Sequence, residues 1–192
     1  MENNPKYILI HCSDVSYREI FDQSKVIEAY HTTGHPQAPF PLSSLGFRTG
    51  YHTLYTGGKR YIRRDYADQG AHCNTVVDGT SMNFQSIAFC IGFDGDIEYP
   101  PQDELELMIM DIKEAMALYN IPKENILLHR HFSPHKTCAG SLIPDDWGQR
   151  LVTPSIKPPE EERKREILIE LHSKLSLLAF LMRKLVELFK KK

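Results

Sequence analysis

The sequence predicts an α/β fold: a central mixed β-sheet flanked by helices, with an amphipathic helix appended at the C-terminus. Three observations carry this expectation. Short apolar, β-branched runs at residues 7–11, 86–93 and 126–129 alternate with helical patterns, as in a sheet whose strands are linked by helices. Two aromatic runs flank Gly57-Gly58, the signature of a β-hairpin. Beyond residue 152 the chain turns to proline and charge, and then to a heptad pattern.

The elements follow in order. KYILIHCS (6–13) reads as a buried strand. SKVIEAYHTT (24–33) places Val26, Ile27 and Tyr30 at helical spacing and predicts a short helix. GHPQAPFPLSSLGFRTG (34–50) is rich in Pro, Gly and Ser and predicts a loop. YHTLYTGGKRYIRR (51–64) is the hairpin, and QSIAFCIGF (85–93) a second buried strand. PPQDELELMIMDIKEAMALYN (100–120) opens on prolines and carries Leu105, Met108, Ile109, Ile112 and Met116 on one side, which predicts a helix. ENILLHRHF (124–132) predicts a third apolar strand that ends in histidines.

A chain of 192 residues suits one domain plus an appendage. The boundaries expected are a domain over 1–152, a proline- and charge-rich linker over 153–163 and a heptad helix over 164–192. The formal net charge of -2 supplies no field for a polyanion, so nucleic acid is not an expected partner. MENNPKYILIHC lacks a basic segment followed by a long apolar stretch, so no signal peptide is expected, and synthesis in the cytoplasm follows. Cys12, Cys73, Cys90 and Cys138 are scattered, unlike a disulfide framework.

The chemistry concentrates in two places. LLHRHFSPHKTCAG (127–140) holds three histidines, a lysine and a cysteine, and IHCS (10–13) ends an apolar run in another histidine. His11 and His129 both stand at C-terminal ends of predicted strands. If those strands are parallel neighbours, the two imidazoles project from one sheet edge, and Cys138 is near enough in sequence for its loop to fold back onto them. Two imidazoles and a thiolate make an open zinc set with a position left for water. Strand-end histidines also commonly hydrogen-bond to backbone, so spacing alone leaves both readings open.

IHCS (10–13), GYHTLY (50–55), GAHCN (70–74), SIAFCI (86–91) and HRHFSPHKTCAG (129–140) together resemble the zinc-dependent N-acetylmuramoyl-L-alanine amidases of type 2, a family that includes phage lysozyme-type amidases and peptidoglycan recognition proteins. The resemblance covers roughly residues 6–150. It implies a groove over a Zn2+ ion held by His11, His129 and Cys138, with Tyr51 and Lys136 as catalytic residues and His72 as a substrate-binding histidine. It implies hydrolysis of the amide between the muramic lactyl group and the first L-alanine of the peptidoglycan stem peptide. Zinc lowers the pKa of bound water to about 7 and polarises a carbonyl. Lys136 would place a cation near the oxyanion, and the Tyr51 hydroxyl would hydrogen-bond to the attacking water or the oxyanion. The missing signal peptide then fits an endolysin, phage-encoded and reaching the cell wall after release.

The sequence departs from the family in places. Family members often carry His-Arg-Asp where this chain has His129-Arg130-His131, so a carboxylate is missing that His131 could replace as a hydrogen-bonding group. Ala139 stands where proline commonly follows the cysteine. His131 and His135 are rival ligands; on an extended strand His131 would point the same way as His129. The loop over 34–47 is longer than in short phage enzymes and forms either a groove wall or a rigid surface turn.

In the C-terminal segment, Leu168, Leu171, Leu175, Leu178, Met182, Leu185 and Phe189 alternate spacings of three and four. So apolar a seam must be covered. Docking on the amidase domain, self-association into a homo-oligomer, and contact with a membrane surface beside Lys190-Lys191-Lys192 are the options. Two other function classes share the fold: a non-catalytic peptidoglycan-binding module and a partner-binding inhibitor. Non-catalytic members usually lack the zinc cysteine, and Cys138 is present.

Overall fold

The computed structural model describes residues 2–153. The predicted linker lies outside the described residues except for Thr153, and the heptad helix lies outside them entirely. Among the described residues no helix is long and apolar enough to cross a membrane.

Five strands form the central mixed sheet in the order β3-β2-β6-β1-β7. These are β1 (Tyr7–Cys12), β2 (Thr53–Thr56), β3 (Lys59–Ile62), β6 (Ser86–Ile91) and β7 (Ile126–Leu128). β1 lies between β6 and β7 and is parallel to both, with Ile10 opposite Phe89 on one side and Leu128 on the other. β2 is parallel to β6 and antiparallel to β3. β6 is buried along its whole length, which explains its unbroken apolar run. Gly57 and Gly58 close the β2–β3 hairpin with φ of 65° and 68°. Two successive left-handed residues match the twist of the strands they join. A small second hairpin, β4 (Val76–Val77) and β5 (Thr80–Ser81), turns at Asp78-Gly79.

Alternation along the strands divides the sheet into two faces. Ile8, Ile10, Ile87, Phe89 and Ile91 face one way and pack with Met108, Ile112 and Ala115 of α2 (Gln102–Tyr119). Each of the fully buried isoleucine, phenylalanine and methionine side chains among them contributes about 1.5–3 kcal/mol. Pro101 starts α2, Asp103 and Glu104 sit in its first turn, and Asn120 ends it in the left-handed conformation. The side chains of α3 (Trp147–Val152), including Trp147 and Leu151, pack on the same core. The buried stripe of α2 also contains Asp111, which accepts from Tyr55 Oη at 2.7 Å and from Arg60 Nη1 at 2.6 Å. His11 lies one residue out of phase with Ile8 and Ile10 and therefore faces away from α2.

The predicted third strand is shorter than expected. β7 ends at Leu128, and His129–His131 form a single 3-10 turn. This corrects the expectation that His129 and His131 point the same way. His131 Nδ1 accepts from the Leu128 N–H at 3.0 Å, closing the turn and carrying its ring away from that of His129.

Glu104 supplies a stability prediction. It is 1% exposed; Oε1 accepts from the Gly58 N–H at 2.8 Å and Oε2 has no partner. Burial pushes its carboxyl up to about 7. Between its unfolded value of about 4.3 and that value the folded state binds more protons, so stability falls as pH rises through this window. Glu104→Gln removes the buried charge. It should stabilise the protein by about 1 kcal/mol or more at pH 8 and have little effect near pH 4, as read by urea unfolding at the two pH values.

Candidate metal centre

His11, His129 and Cys138 converge at the carboxyl ends of β1 and β7. One donor atom from each lies within 4.8 Å of the other two. His11 Nδ1 is 3.8 Å from Cys138 Sγ, and the His11 and His129 rings have centroids 4.4 Å apart. Donors on a tetrahedral zinc stand about 3.3–3.8 Å apart, given bonds of about 2.0–2.3 Å. The residues present therefore fit such an ion after small side-chain adjustments.

The protonation states of the two imidazoles suit metal ligation. Burial, and then the neighbouring His129, hold His11 well below its usual value, while burial followed by Lys136 lowers His129 to about 4. Both rings are neutral at physiological pH, the state that ligates metal. The Cys12 N–H lies 3.4 Å from Cys138 Sγ, where it donates to the sulfur. Hydrogen bonding to the Cys12 thiol, together with burial, raises the Cys138 thiol well above its ordinary value, so it holds its proton, which a bound cation would have to displace.

Each candidate ligand is held from behind. His129 Nε2 is 3.2 Å from Ser133 Oγ. His11 Nε2 is 3.1 Å from His72 Nδ1, and His72 Nε2 is 3.2 Å from Ser86 Oγ. Both nitrogens of the groove histidine His72 are therefore engaged by protein atoms. The loop carrying Cys138 is clamped at both sides. Arg130 donates to the carbonyls of Gly140 at 2.7 Å and Ile143 at 2.5 Å, and to Asp145 Oδ1 at 2.8 Å. Asp96 accepts from Thr137 Oγ1 and from the Ser141 N–H. Asp145 thus supplies to Arg130 a carboxylate that His131 does not. Arg130→Ala should cost at least about 2 kcal/mol and weaken zinc binding several-fold, since a single charged hydrogen bond contributes about 1.5–3 kcal/mol and three are lost. Thermal unfolding and chelator competition check the two effects.

Two adjoining hollows, of about 620 and 710 Å3, meet at the centre, and His72, His129 and Lys136 line both. Tyr51 lines the first; its ring centroid is 4.9 Å from that of His11. Burial, then the Cys90 and Cys138 thiols, push its phenol well above the usual range, so it remains an O–H donor at neutral pH. Lys136 is exposed at the rim. The rival His135 is also exposed, lines the groove and stands outside the convergent donor set.

The loop over 34–47 forms a groove wall, one of the two readings its composition allowed. Phe40 is buried and stacks on His31 with centroids 4.5 Å apart and planes 15° apart. The fully buried Arg64 fixes this wall from behind, donating to the carbonyls of Thr49, Gln69 and Pro41. Val26, Ile27 and Tyr30 of the α1 (Ser24–Ala29) region line the groove, which explains why Val26 and Tyr30 remain about half exposed. Sequence reasoning missed His31, whose Nδ1 accepts from the Gly50 N–H at 3.2 Å. The available signal was a histidine on a short helix beside a proline-rich loop.

No protein-family model matches the sequence, and no curated protein does. Solved structures do match. The chain is similar to a bumblebee PGRP-SA, with a TM-score of 0.57 and 16% identity over 82% of this chain and 87% of that one. It is similar to a mutant endolysin from Bacillus subtilis, with a TM-score of 0.55 and 19% identity over 79% and 87%. It is similar to the N-acetylmuramoyl-L-alanine amidase LysC from Clostridium intestinale, with a TM-score of 0.54 and 20% identity over 74% and 80%. This chain has the fold of those amidases and recognition proteins.

Proposed function

We propose that this protein is a zinc-dependent peptidoglycan amidase that cleaves the bond between the muramic lactyl group and the first L-alanine of the stem peptide. The observation that carries the reading is the convergence of His11, His129 and Cys138, with His129 and Cys138 lining a groove that the Tyr51 phenol and the Lys136 ammonium also line. The amidase and endolysin among the similar structures support the choice of substrate class. Zinc, when bound by these three side chains, supplies water activation near neutral pH and polarisation of the scissile carbonyl.

The remaining steps belong to the chain's own residues. The two adjoining hollows that share His72, His129 and Lys136 give a muramyl peptide room beside the centre. Lys136 sits where an ammonium can approach an oxyanion, and the flexible lysine stem allows it to follow the charge as it forms. The Tyr51 O–H, kept protonated by its surroundings, donates to the water or to the oxyanion. His11 and His129 stay neutral and hold position through their outer hydrogen bonds. The recognition-module alternative accounts less well for a cysteine whose sulfur faces two neutral imidazoles.

The test is hydrolysis of purified peptidoglycan with and without chelator. Activity should vanish on chelation and return with added zinc; chelator-resistant activity would remove zinc from the account. The heptad segment is proposed to act outside the chemistry, in assembly or at a membrane surface. Truncation after Thr153 should leave hydrolysis of soluble muropeptide within about twofold of the full chain while lowering either oligomer mass or lysis of intact cells.

A further inference from the structure

We propose that His72 and Ser86 form a polarised hydrogen-bond relay that fixes the tautomer of His11 and leaves His11 Nδ1 bare toward Cys138, making His72 a positioning residue and not a substrate contact. The inference rests on the metal-centre reading above and concerns residues that the ligand set leaves out.

The polarity of the relay follows from its far end. Ser86 Oγ is 2.6 Å from the Met82 carbonyl oxygen. Two oxygens that close need a hydrogen between them, a carbonyl has none to give, and a serine has one. Ser86 therefore donates to Met82, and its lone pairs face His72. The contact of 3.2 Å between Ser86 Oγ and His72 Nε2 then takes its hydrogen from His72. A neutral imidazole carries one N–H, so His72 Nδ1 is bare and can only accept. The nitrogen 3.1 Å from it, His11 Nε2, must donate. That leaves the lone pair of His11 on Nδ1, the atom 3.8 Å from Cys138 Sγ. Each link admits one direction, and a single serine at the sheet's interior sets the donor atom of the first ligand.

The scaffold keeps this chain in register. Ser86 is fully buried and opens β6, opposite Tyr7 at the start of β1. Asn83 Oδ1 accepts from the backbone N–H groups of both His72 and Cys73, at 2.8 and 2.9 Å. This fixes the backbone that carries the His72 ring. His52, whose ring lies next to that of His72 with centroids 6.3 Å apart, takes no part. Its Nδ1 accepts from the Ala88 N–H and its Nε2 donates to the Asp68 carbonyl. The mechanical consequence is that ring rotation of His11, which would present a protonated nitrogen to the metal, breaks the contact with His72. Outer hydrogen bonds of this kind typically alter metal affinity by about 10–100-fold.

The experiment uses the full chain labelled with nitrogen-15 at histidine, with long-range proton–nitrogen correlation spectra in the metal-free and zinc-loaded states. Zinc affinity is measured in parallel by chelator competition on wild type, His72→Phe, His72→Asn and Ser86→Ala. The expected result is an Nε2–H tautomer for both His11 and His72 before zinc is added. His72→Phe, which lacks an acceptor, should bind zinc about 10–100-fold more weakly. His72→Asn, whose amide oxygen falls near the place of Nδ1, should recover most of that loss. Ser86→Ala should give mixed His11 tautomers and an intermediate affinity. A wild-type His11 protonated on Nδ1 overturns the relay even if every variant misfolds, and so does wild-type zinc affinity in folded His72→Phe. Failure of the wild type to bind zinc at all overturns the metal centre and the relay together; tight wild-type binding with unaffected variants overturns the relay alone.

Discussion

His129→Ala is expected to lower zinc affinity by at least about a hundredfold, more than the loss of an outer hydrogen-bond partner costs, because it removes a ligand from the metal itself. Hydrolysis should fall to the limit of detection in the same variant. His129 opens the turn after β7 and is 5% exposed, yet its ring faces the centre more than the core, so the fold should survive, as circular dichroism would show. His131→Ala is the informative control. Its ring closes the turn through the Leu128 N–H and stands outside the donor set, so it should keep one zinc per chain at slightly reduced stability. Metal analysis of the two purified variants separates them. Zinc retained in His129→Ala, or lost in His131→Ala, would reverse the assignment.

Lys136→Ala and Tyr51→Phe should both keep zinc and fold while losing turnover. A donor aimed at charge that develops in the transition state contributes about 3–4 kcal/mol, or a hundredfold or more in rate. The loss should appear in kcat, with KM changed little, because both groups act on charge that the ground-state amide lacks. Lys136 is exposed and Tyr51 loses a single oxygen, so neither change should disturb the packing. Steady-state kinetics on a soluble muropeptide, beside metal analysis, would check this. Wild-type kcat in either variant would take that residue out of the mechanism.

The sheet was legible because its central strands are buried on both faces and so announce themselves as unbroken apolar runs. The hairpin was legible because Gly57-Gly58 satisfies a backbone requirement that few other pairs can meet. The pairing of His11 with His129 was legible as a conditional: two strand-end histidines meet if their strands are parallel neighbours, and β1 and β7 are. The turn at His129–His131 was not, because no glycine or proline stands between the apolar run ending at Leu128 and Pro134 to mark where extension stops. The clamp on the Cys138 loop was invisible for a different reason. Arg130, Asp96 and Asp145 are far enough apart in sequence that only the folded chain brings them together. The Asp78-Gly79 hairpin was signalled by a standard turn pair, but strands of two residues are too short to show periodicity. His72 was readable by resemblance as a groove histidine; that both its nitrogens are engaged depends on Ser86, a residue with no sequence signal of its own.

The measurement that bears most directly on the account is identification of the ends released from peptidoglycan by the zinc-loaded full chain, by mass spectrometry and amino-terminal labelling. The account predicts one free lactyl carboxyl group for each new L-alanine amino terminus, on glycan strands left intact, and none of either after chelation. New reducing sugars, cleavage within the stem peptide, or binding to peptidoglycan with no new ends would contradict it.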